Sequence, residues 1–522
     1  MRTAGRIGGR SVLVAGLCVW GIIESCYGLS QVLGWRSSRH ALYALTGHFQ
    51  NPGPFGGFIA CVMAVAGAWL LRHSKDHPAG SSILTVVSWI TTALVWVALA
   101  AGLLVLPASM SRAGWLGLAI ALGIEWLRVL PSGKRNNAQR IVIVIALSLV
   151  LLAGAFALKP DSALGRLHVW RMECRAIVAR PWRGAGPGMG PWAYGEAQEA
   201  FFREHLETAS PATVWVAGCP EYAFNEFLGL GVEYGLPALL LSILLVVSSI
   251  LVLHRSNSPL AAGLTAWAVF ACASYPLSVP QLRILGAVFI IVAIVSGALQ
   301  AAGSCRPKTS LRSSLPRLPA WAPPAYEAAG GHGFLGGTAC RLFAGLLPGI
   351  SAILLIGWMM IPGPGSADLE RFRELYSEGY ALHQAGRYEE STKVLDKGAM
   401  LSCDPMFEII MGKNAEALGD FDRAEELYEK AHYMVPSRLY PLVRLMRLQI
   451  RQESDEAALE TARVIVSMPV NDRNAGMVRL REETQATLDS LSAQRCYPAV
   501  NHNELTDSDI QNDLRKRLPG SL

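Results

Sequence analysis

Apolar runs long enough to cross roughly 30 Å of hydrocarbon recur along the chain, parted by short polar connections. They predict spans at about residues 12–33, 54–71, 83–106, 113–130 and 141–158, then 236–253, 260–277, 282–301 and 342–361, nine in all. Between the fifth and sixth lies a polar loop, residues 159–225. Residues 304–340 are rich in Pro, Gly, Ser and basic side chains and read as a linker. Beyond residue 365 the chain turns charged, Ala-rich and helical in pattern, up to a polar tail at 491–522 that reads as disordered. The expectation is an all-α protein. It comprises a polytopic transmembrane helix bundle (residues 1–303, with a final transmembrane helix at 341–362) and an α-helical repeat domain over residues 367–490.

The repeat is visible residue by residue. Gly379, Gly386, Tyr388, Ser391 and Leu395 are echoed 33 residues later by Gly412, Gly419, Phe421, Ala424 and Tyr428. A weaker third copy places Ala457 and Pro469 another 33 residues beyond Ala424 and Pro436. Small residues where helices touch, aromatics between them and Pro at the exit form the tetratricopeptide pattern, whose period is about 34 residues.

Charge sets the orientation. One set of connections holds Arg2, Arg6 and Arg10, Arg72 and Lys75, Arg128, Lys134, Arg135 and Arg140, Arg255, and Arg306, Lys308, Arg312 and Arg317. The alternate set holds only Arg36, Arg39, Arg112 and Arg283. The positive-inside rule makes the first set cytoplasmic, the polar loop external, and everything after the ninth span external. Those few external arginines run against the rule, which makes each a functional candidate.

Composition agrees with a membrane protein carrying a soluble part: 522 residues, 52% hydrophobic and 16% charged. The net charge of +6 is spread by topology and forms no basic soluble face, so nucleic acid is not an expected partner. Ten cysteines show no CxxC spacing, which argues against a zinc or thioredoxin-like motif. Cys174 and Cys219 share the loop and are able to pair in an oxidising compartment. The first apolar run contains Glu24 and lacks a small-x-small cleavage site, so it reads as a retained span.

Candidate chemistry gathers at the external side. The loop opens on LGRLHVWRMECRAIVARPWRGAGPGMG, which holds Arg166, Arg171, Arg175, Arg180 and Arg183 within eighteen residues. Guanidinium forks match phosphate oxygens, so a lipid diphosphate is the expected anion. Arg112 in SRAGW and Arg283 after SYPLSVPQL stand at the outer starts of the fourth and eighth spans. Either could snorkel at the interface; with the loop cluster they point to one shared anion site. Glu24 and Gln31, seven residues apart with Tyr27 between, share a face of the first span and should face its interior, as a site or as a structural hydrogen bond. GHFQNPGPFGG opens a helix toward the outside, or is a plain loop-to-helix turn. The glycine run in RGAGPGMG follows no strand and reads as a turn, not a phosphate loop. In EYAFNEFLGLGVEYGLP, Glu226 and Glu233 can share a face, as general bases or as arginine partners, and Gly235 with Pro237 breaks the helix.

Taken together, ES…GLSQ, GHFQNPGPFGG, SRAGW, LGRLHVWR…PWRGAGPG, FNEFLGLGVEYG and SYPL resemble the O-antigen ligase family of bacterial membrane glycosyltransferases, in the family's order over residues 12–301. The resemblance implies glycan transfer from an undecaprenyl-diphosphate carrier to an acceptor hydroxyl at the periplasmic face of the inner membrane. No cofactor or metal is implied. Lipid A core, a glycan or a protein is the acceptor, and a protein partner on the repeats is a further expectation. By the same resemblance Arg112, Arg166 and Arg171 hold the donor diphosphate; Arg283 joins them by its place at the outer start of the eighth span, and Asn225, Glu24 and Gln31 are expected to support the site. Many family members carry His where Phe224 stands here. Either Glu226 or Glu233 then supplies the base, or stabilisation of the leaving group dominates. A polymerase using the same donor and a non-enzymatic envelope scaffold or transporter are the rival readings.

Overall fold

A computed structural model describes residues 2–40, 42–73, 83–129, 134–158, 160–304, 366–468 and 474–496. Every regular element among these residues is helical. The chain divides into two units, residues 1–160 with 223–363 and residues 161–222 with 364–522.

The first unit holds α1 (Arg2–Val32), α2 (Pro52–His73), α3 (Ile83–Ala108), α4 (Arg112–Val129), α5 (Lys134–Leu158), α9 (Glu226–Arg255), α10 (Leu260–Ala271), a 3-10 turn at Pro276–Ser278 and α11 (Pro280–Ser304). Its core is built around α2, where Phe55, Phe58, Ile59 and Trp69 are almost wholly buried. Close helix contact rests on small residues, as is usual where no hydrophobic force drives helices together. A Cβ on Gly117 would stand 2.7 Å from the Ala266 carbonyl, and one on Gly114 would stand 2.9 Å from that of Gly56. Large apolar side chains of α3, α5, α9 and α11, among them Trp89, Leu103, Val150, Leu244 and Ile284, point outward. Such a surface suits lipid better than water.

Among the described residues, five helices are long and apolar enough to cross a membrane: α1, α2, α3, α9 and α11. All five fall on stretches where the sequence predicts spans. Helix α4 lies where a span is predicted but carries Glu125 and Arg128. Helix α5 contains the apolar stretch Ala138–Gly154. Helix α10 ends after 12 residues, because Ser274 and Pro276 turn the chain there. The linker at 304–340 and the span predicted at 342–361 lie outside the described residues.

Glu125 is fully buried and is held by Arg72, whose Nε and Nη2 donate to Oε2 at 3.0 and 2.5 Å. His254 Nδ1 lies 3.4 Å from the other carboxylate oxygen, and Arg72 Nη1 also donates to Asn257 at 2.8 Å. This ion cluster ties α2, α4 and α9 together. A lone buried carboxylate would be costly, and the Arg72 guanidinium offsets that cost.

The second unit contains α6 (Pro160–Ala179), α7 (Gly190–His205) and α8 (Pro211–Val216) from the loop. Its remaining helices are α12 (Ser366–Gln384), α13 (Tyr388–Ala399), α14 (Met406–Leu418), α15 (Phe421–Met434), α16 (Tyr440–Arg451), α17 (Asp455–Ser467) and α18 (Ala475–Cys496). The echo at 33 residues has a physical basis. Gly379 packs on Leu395 and Gly412 on Tyr428, each so tightly that a Cβ would stand 2.5 Å from the partner side chain. Gly386 and Gly419 turn between paired helices with φ of 74° and 81°, a left-handed backbone that favours glycine. In the third pair Glu453 takes that turn with φ 59°, and the buried small residue is Ala458 instead of Ala457. The third copy thus follows its predecessor at 34 residues, since Ala458 stands 34 after Ala424. Helix α18 runs to Cys496, so the tail expected from residue 491 starts later; the rest of it lies outside the described residues.

The loop helices do not form a separate lobe from the repeats. Val169, Met172, Tyr194, Phe201, Phe202 and Ala217 share one apolar core with Cys403, and Tyr433 packs against it. Gly195 lets α7 approach closely, its would-be Cβ lying 3.1 Å from Cys403 Cβ. Cys219 is bonded to Cys403, 184 residues away in sequence. The pairing of Cys174 with Cys219 is thereby corrected: Cys174 is a free, exposed thiol.

Candidate functional site

In the first unit, Glu24 and Gln31 both face the turn before α2. Gln31 Oε1 accepts from the backbone N–H of Thr46 and Gly47 at 3.0 and 2.8 Å, and its Nε2 donates to Thr46 Oγ1 and the Gly47 carbonyl. Glu24, only 4% exposed, accepts the backbone N–H of His48 at 3.2 Å and lies 3.1 Å from His48 Nδ1. The Tyr27 ring lies 3.8 Å from the imidazole, centroid to centroid. Exposed Arg36 stacks over Tyr27 at 4.8 Å, and Arg39 donates to the His48 carbonyl. Two of the arginines that break the positive-inside rule are thus gathered at this turn.

The turn then enters α2 and meets SRAGW. Ser111 Oγ donates to the Gly53 carbonyl at 2.8 Å, and Gly56 leaves room for Ser109 and Ser111. The small residues of the two motifs account for their contact, and half-buried Arg112 opens α4 beside it.

At the start of α9, Asn225 is the helix cap: its Oδ1 accepts from Phe227 and Leu228 N–H at 3.1 and 3.2 Å. Phe224, with φ 50°, lays its ring edge-on to Tyr275. Glu226 is buried, and Oε1 accepts the Leu277 N–H at 2.6 Å. Arg283 Nε donates to the Leu277 carbonyl at 2.6 Å, so the two side chains grip one turn residue from both sides. Glu233 is also buried, and α9 breaks at Gly235 (φ 83°), as the sequence leads one to expect.

In the second unit the loop arginines separate into kinds. Arg175 and Arg180 are paired with Glu204 at 3.3 Å and Glu196 at 3.0 Å. Arg171 is exposed, lies 4.7 Å over the Phe201 ring and has no carboxylate partner among the described residues. Arg166 is half-buried on the same helix. The glycine run is a tight turn in which Gly184, Gly186 and Gly188 all have positive φ, a conformation that excludes most other residues. His168 is buried with Nε2 2.8 Å from Gln198 Oε1, and burial holds its imidazole below the usual range despite that bond.

The family model for O-antigen ligase matches residues 97–243, from within α3 through the loop to the middle of α9. Over that stretch the chain is similar to the O-antigen ligase family. No curated protein and no solved structure matches the chain. The match supports a glycan-transferring enzyme of ligase or polymerase type, and the apolar helices support a multi-pass membrane protein.

The sequence singles out Glu24, Gln31, Arg112, Asn225, Glu226, Glu233 and Arg283, all in the first unit, and Arg166 and Arg171 in the second. It does not mark three features. His48 is one; its place beside Glu24 in the folded chain has no signature in local spacing. The Arg72–Glu125–His254 cluster is another, although Glu125 inside a predicted span was a visible clue. The third is Gln198, which joins loop and repeats.

Proposed function

We propose that this chain transfers a glycan from an undecaprenyl-diphosphate carrier to the hydroxyl of a separate acceptor at the periplasmic face of the inner membrane. The observation that carries the reading is the ligase-family match over the stretch holding the arginine-rich helix α6 and the start of α9. The Cys219–Cys403 bond supports the sidedness, because disulfides persist in oxidising compartments and this one joins the loop to the repeats.

Arg112 and Arg283 in the first unit, and Arg166 and Arg171 in the second, are assigned to the donor diphosphate. As the bond from the anomeric carbon to the diphosphate breaks, negative charge grows on the leaving oxygen. Fixed guanidinium groups stabilise that charge more in the transition state than in the ground state. Arg175 and Arg180 spend their charge on neighbouring glutamates, whereas exposed Arg171 has no carboxylate partner among the described residues and is open to an incoming anion.

Glu226 and Glu233 are assigned to support. A base has to reach the hydroxyl proton it removes, whereas Glu226 is buried and engaged with Leu277. The helix pairs of the second unit are assigned as a tetratricopeptide-like domain that docks the acceptor or a partner protein.

Deletion of the gene tests this reading. Accumulation of undecaprenyl-linked glycan, with a matching loss of glycan from lipopolysaccharide or glycoprotein, is the expected result. Unchanged carrier and unchanged acceptor pools would leave only a scaffold role.

A further inference from the structure

We propose that His48, oriented by Glu24, is the general base that takes the proton of the acceptor hydroxyl; this rests on the transfer reading above. The turn at residues 46–48 is held by two side chains of α1, and they differ in kind. Gln31 satisfies the backbone of Thr46 and Gly47 with a neutral amide. A turn that needed only bracing would be served by a second amide. The chain instead places a carboxylate, Glu24, in a helix apolar enough to cross a membrane, where an acidic side chain is costly unless it does something an amide cannot.

What it does is fix the imidazole. Both Glu24 oxygens lie near His48 Nδ1, at 3.2 and 3.1 Å. An ionised carboxylate only accepts, so the proton sits on Nδ1 and Nε2 is left as the basic nitrogen. Tyr27 packs against the ring at a tilt, and the His48 side chain keeps 38% of its exposure. Among the described residues Nε2 has no hydrogen-bond partner. A buried carboxylate, a fixed tautomer and an open Nε2 are the parts of an imidazole base held by a third group. Arg36 and Arg39 stand beside it with their charges exposed, which favours the approach of an anionic donor.

In the step, the acceptor hydroxyl oxygen forms its bond to the anomeric carbon as Nε2 takes the hydroxyl proton. The bond from that carbon to the diphosphate oxygen breaks, and the electron pair leaves with the lipid diphosphate. The imidazolium formed is stabilised by the Glu24 carboxylate. His48 then returns its proton to solvent or to the departing diphosphate.

The test uses the full chain in nanodiscs, an undecaprenyl-diphosphate-linked oligosaccharide as donor, and an envelope extract of the deletion strain as acceptor. Both released undecaprenyl diphosphate and acceptor-bound glycan are counted. His48→Asn keeps an N–H for Glu24 where Nδ1 stood and removes Nε2. Its kcat is expected to fall by about 100- to 10,000-fold, with donor KM and melting temperature near those of the unsubstituted chain. Added imidazole should restore part of the turnover in His48→Ala. Glu24→Gln, which loses the charge but not the backbone contact, should lower kcat less. An inactive unsubstituted chain would sink the transfer reading itself. An active chain whose His48→Asn variant turns over equally well would overturn the base and leave the transfer reading standing. Activity lost only in step with folded protein, and unmoved by imidazole, would reduce the pair to a brace for the turn and equally overturn the proposal.

Discussion

Gln198 joins the large loop to the helical repeats, and replacing it with leucine should loosen both at once. Its side chain is 1% exposed and makes four hydrogen bonds. Oε1 accepts from Tyr194 Oη at 2.5 Å and from His168 Nε2 at 2.8 Å. Nε2 donates to the Gly218 carbonyl at 3.0 Å and to the Met434 carbonyl of α15. Leucine fills a similar volume and satisfies none of these groups. Each buried polar group left without its partner costs about 1–3 kcal/mol. With part of the cost relieved by local movement and water entry, the sum is about 3–6 kcal/mol. For a unit of this size a loss of 1 kcal/mol lowers the melting temperature by about 2–4 °C, so the expected drop is roughly 6–24 °C. The assay is thermal melting of the full chain in detergent, with hydrogen exchange followed in α7 and α15. Both helices should lose protection together, since they share the Gln198 contact and the Cys403 core. Loss of protection confined to α7, with an unchanged melting temperature, would refute the idea that loop and repeats are one folded body.

Other outcomes follow from the same geometry. A protease site inserted within residues 304–340 should yield two fragments that stay joined on non-reducing gels and part on reduction; Cys219→Ser should abolish the joining, and Cys174 should label with a thiol reagent in the intact chain. Glu226→Gln should lower stability while keeping most turnover at saturating donor, read by melting and kcat side by side; a large fall in kcat at full stability would return Glu226 to the role of base. His432 is buried in α15 and desolvation pushes its imidazole down to about 4 from an ordinary value of 6.5. In the unfolded chain it binds a proton near pH 6.5 and in the folded chain only near pH 4, so its contribution is complete above the first value and lost as pH falls toward the second. That is worth about 3 kcal/mol, and His432→Leu should flatten the pH dependence of melting in that window.

Much of this architecture was legible in the chain. The apolar runs mark α1, α2, α3, α9 and α11, since a helix facing lipid must be apolar over its whole length. The glycines at 379, 386, 412 and 419 mark the helix pairs, because each has a steric duty that no other residue meets as well. The break at Gly235 and Pro237 was equally plain. Hydropathy of a run does not register that Glu125 pairs with Arg72 or that the chain turns at SYPL after α10. The register of the third repeat slipped by one because Glu453 replaces the turn glycine that set the first two. Cys219 found Cys403 and not Cys174, since pairing depends on which Cβ atoms the fold brings together. His48 and Gln198 escaped notice for the same reason: what gives each its place is a contact with residues remote in sequence.

The central claim is transfer of glycan from a lipid diphosphate, and the direct measurement is the stoichiometry of that transfer by the purified chain in nanodiscs. For each glycan gained by the acceptor, one molecule of undecaprenyl diphosphate should be released without nucleotide sugar, and Arg171→Lys should slow both products equally because a point charge replaces a bidentate fork. Glycan transfer that needs a nucleotide sugar, or no glycan on the acceptor while the donor stays intact, would contradict the account.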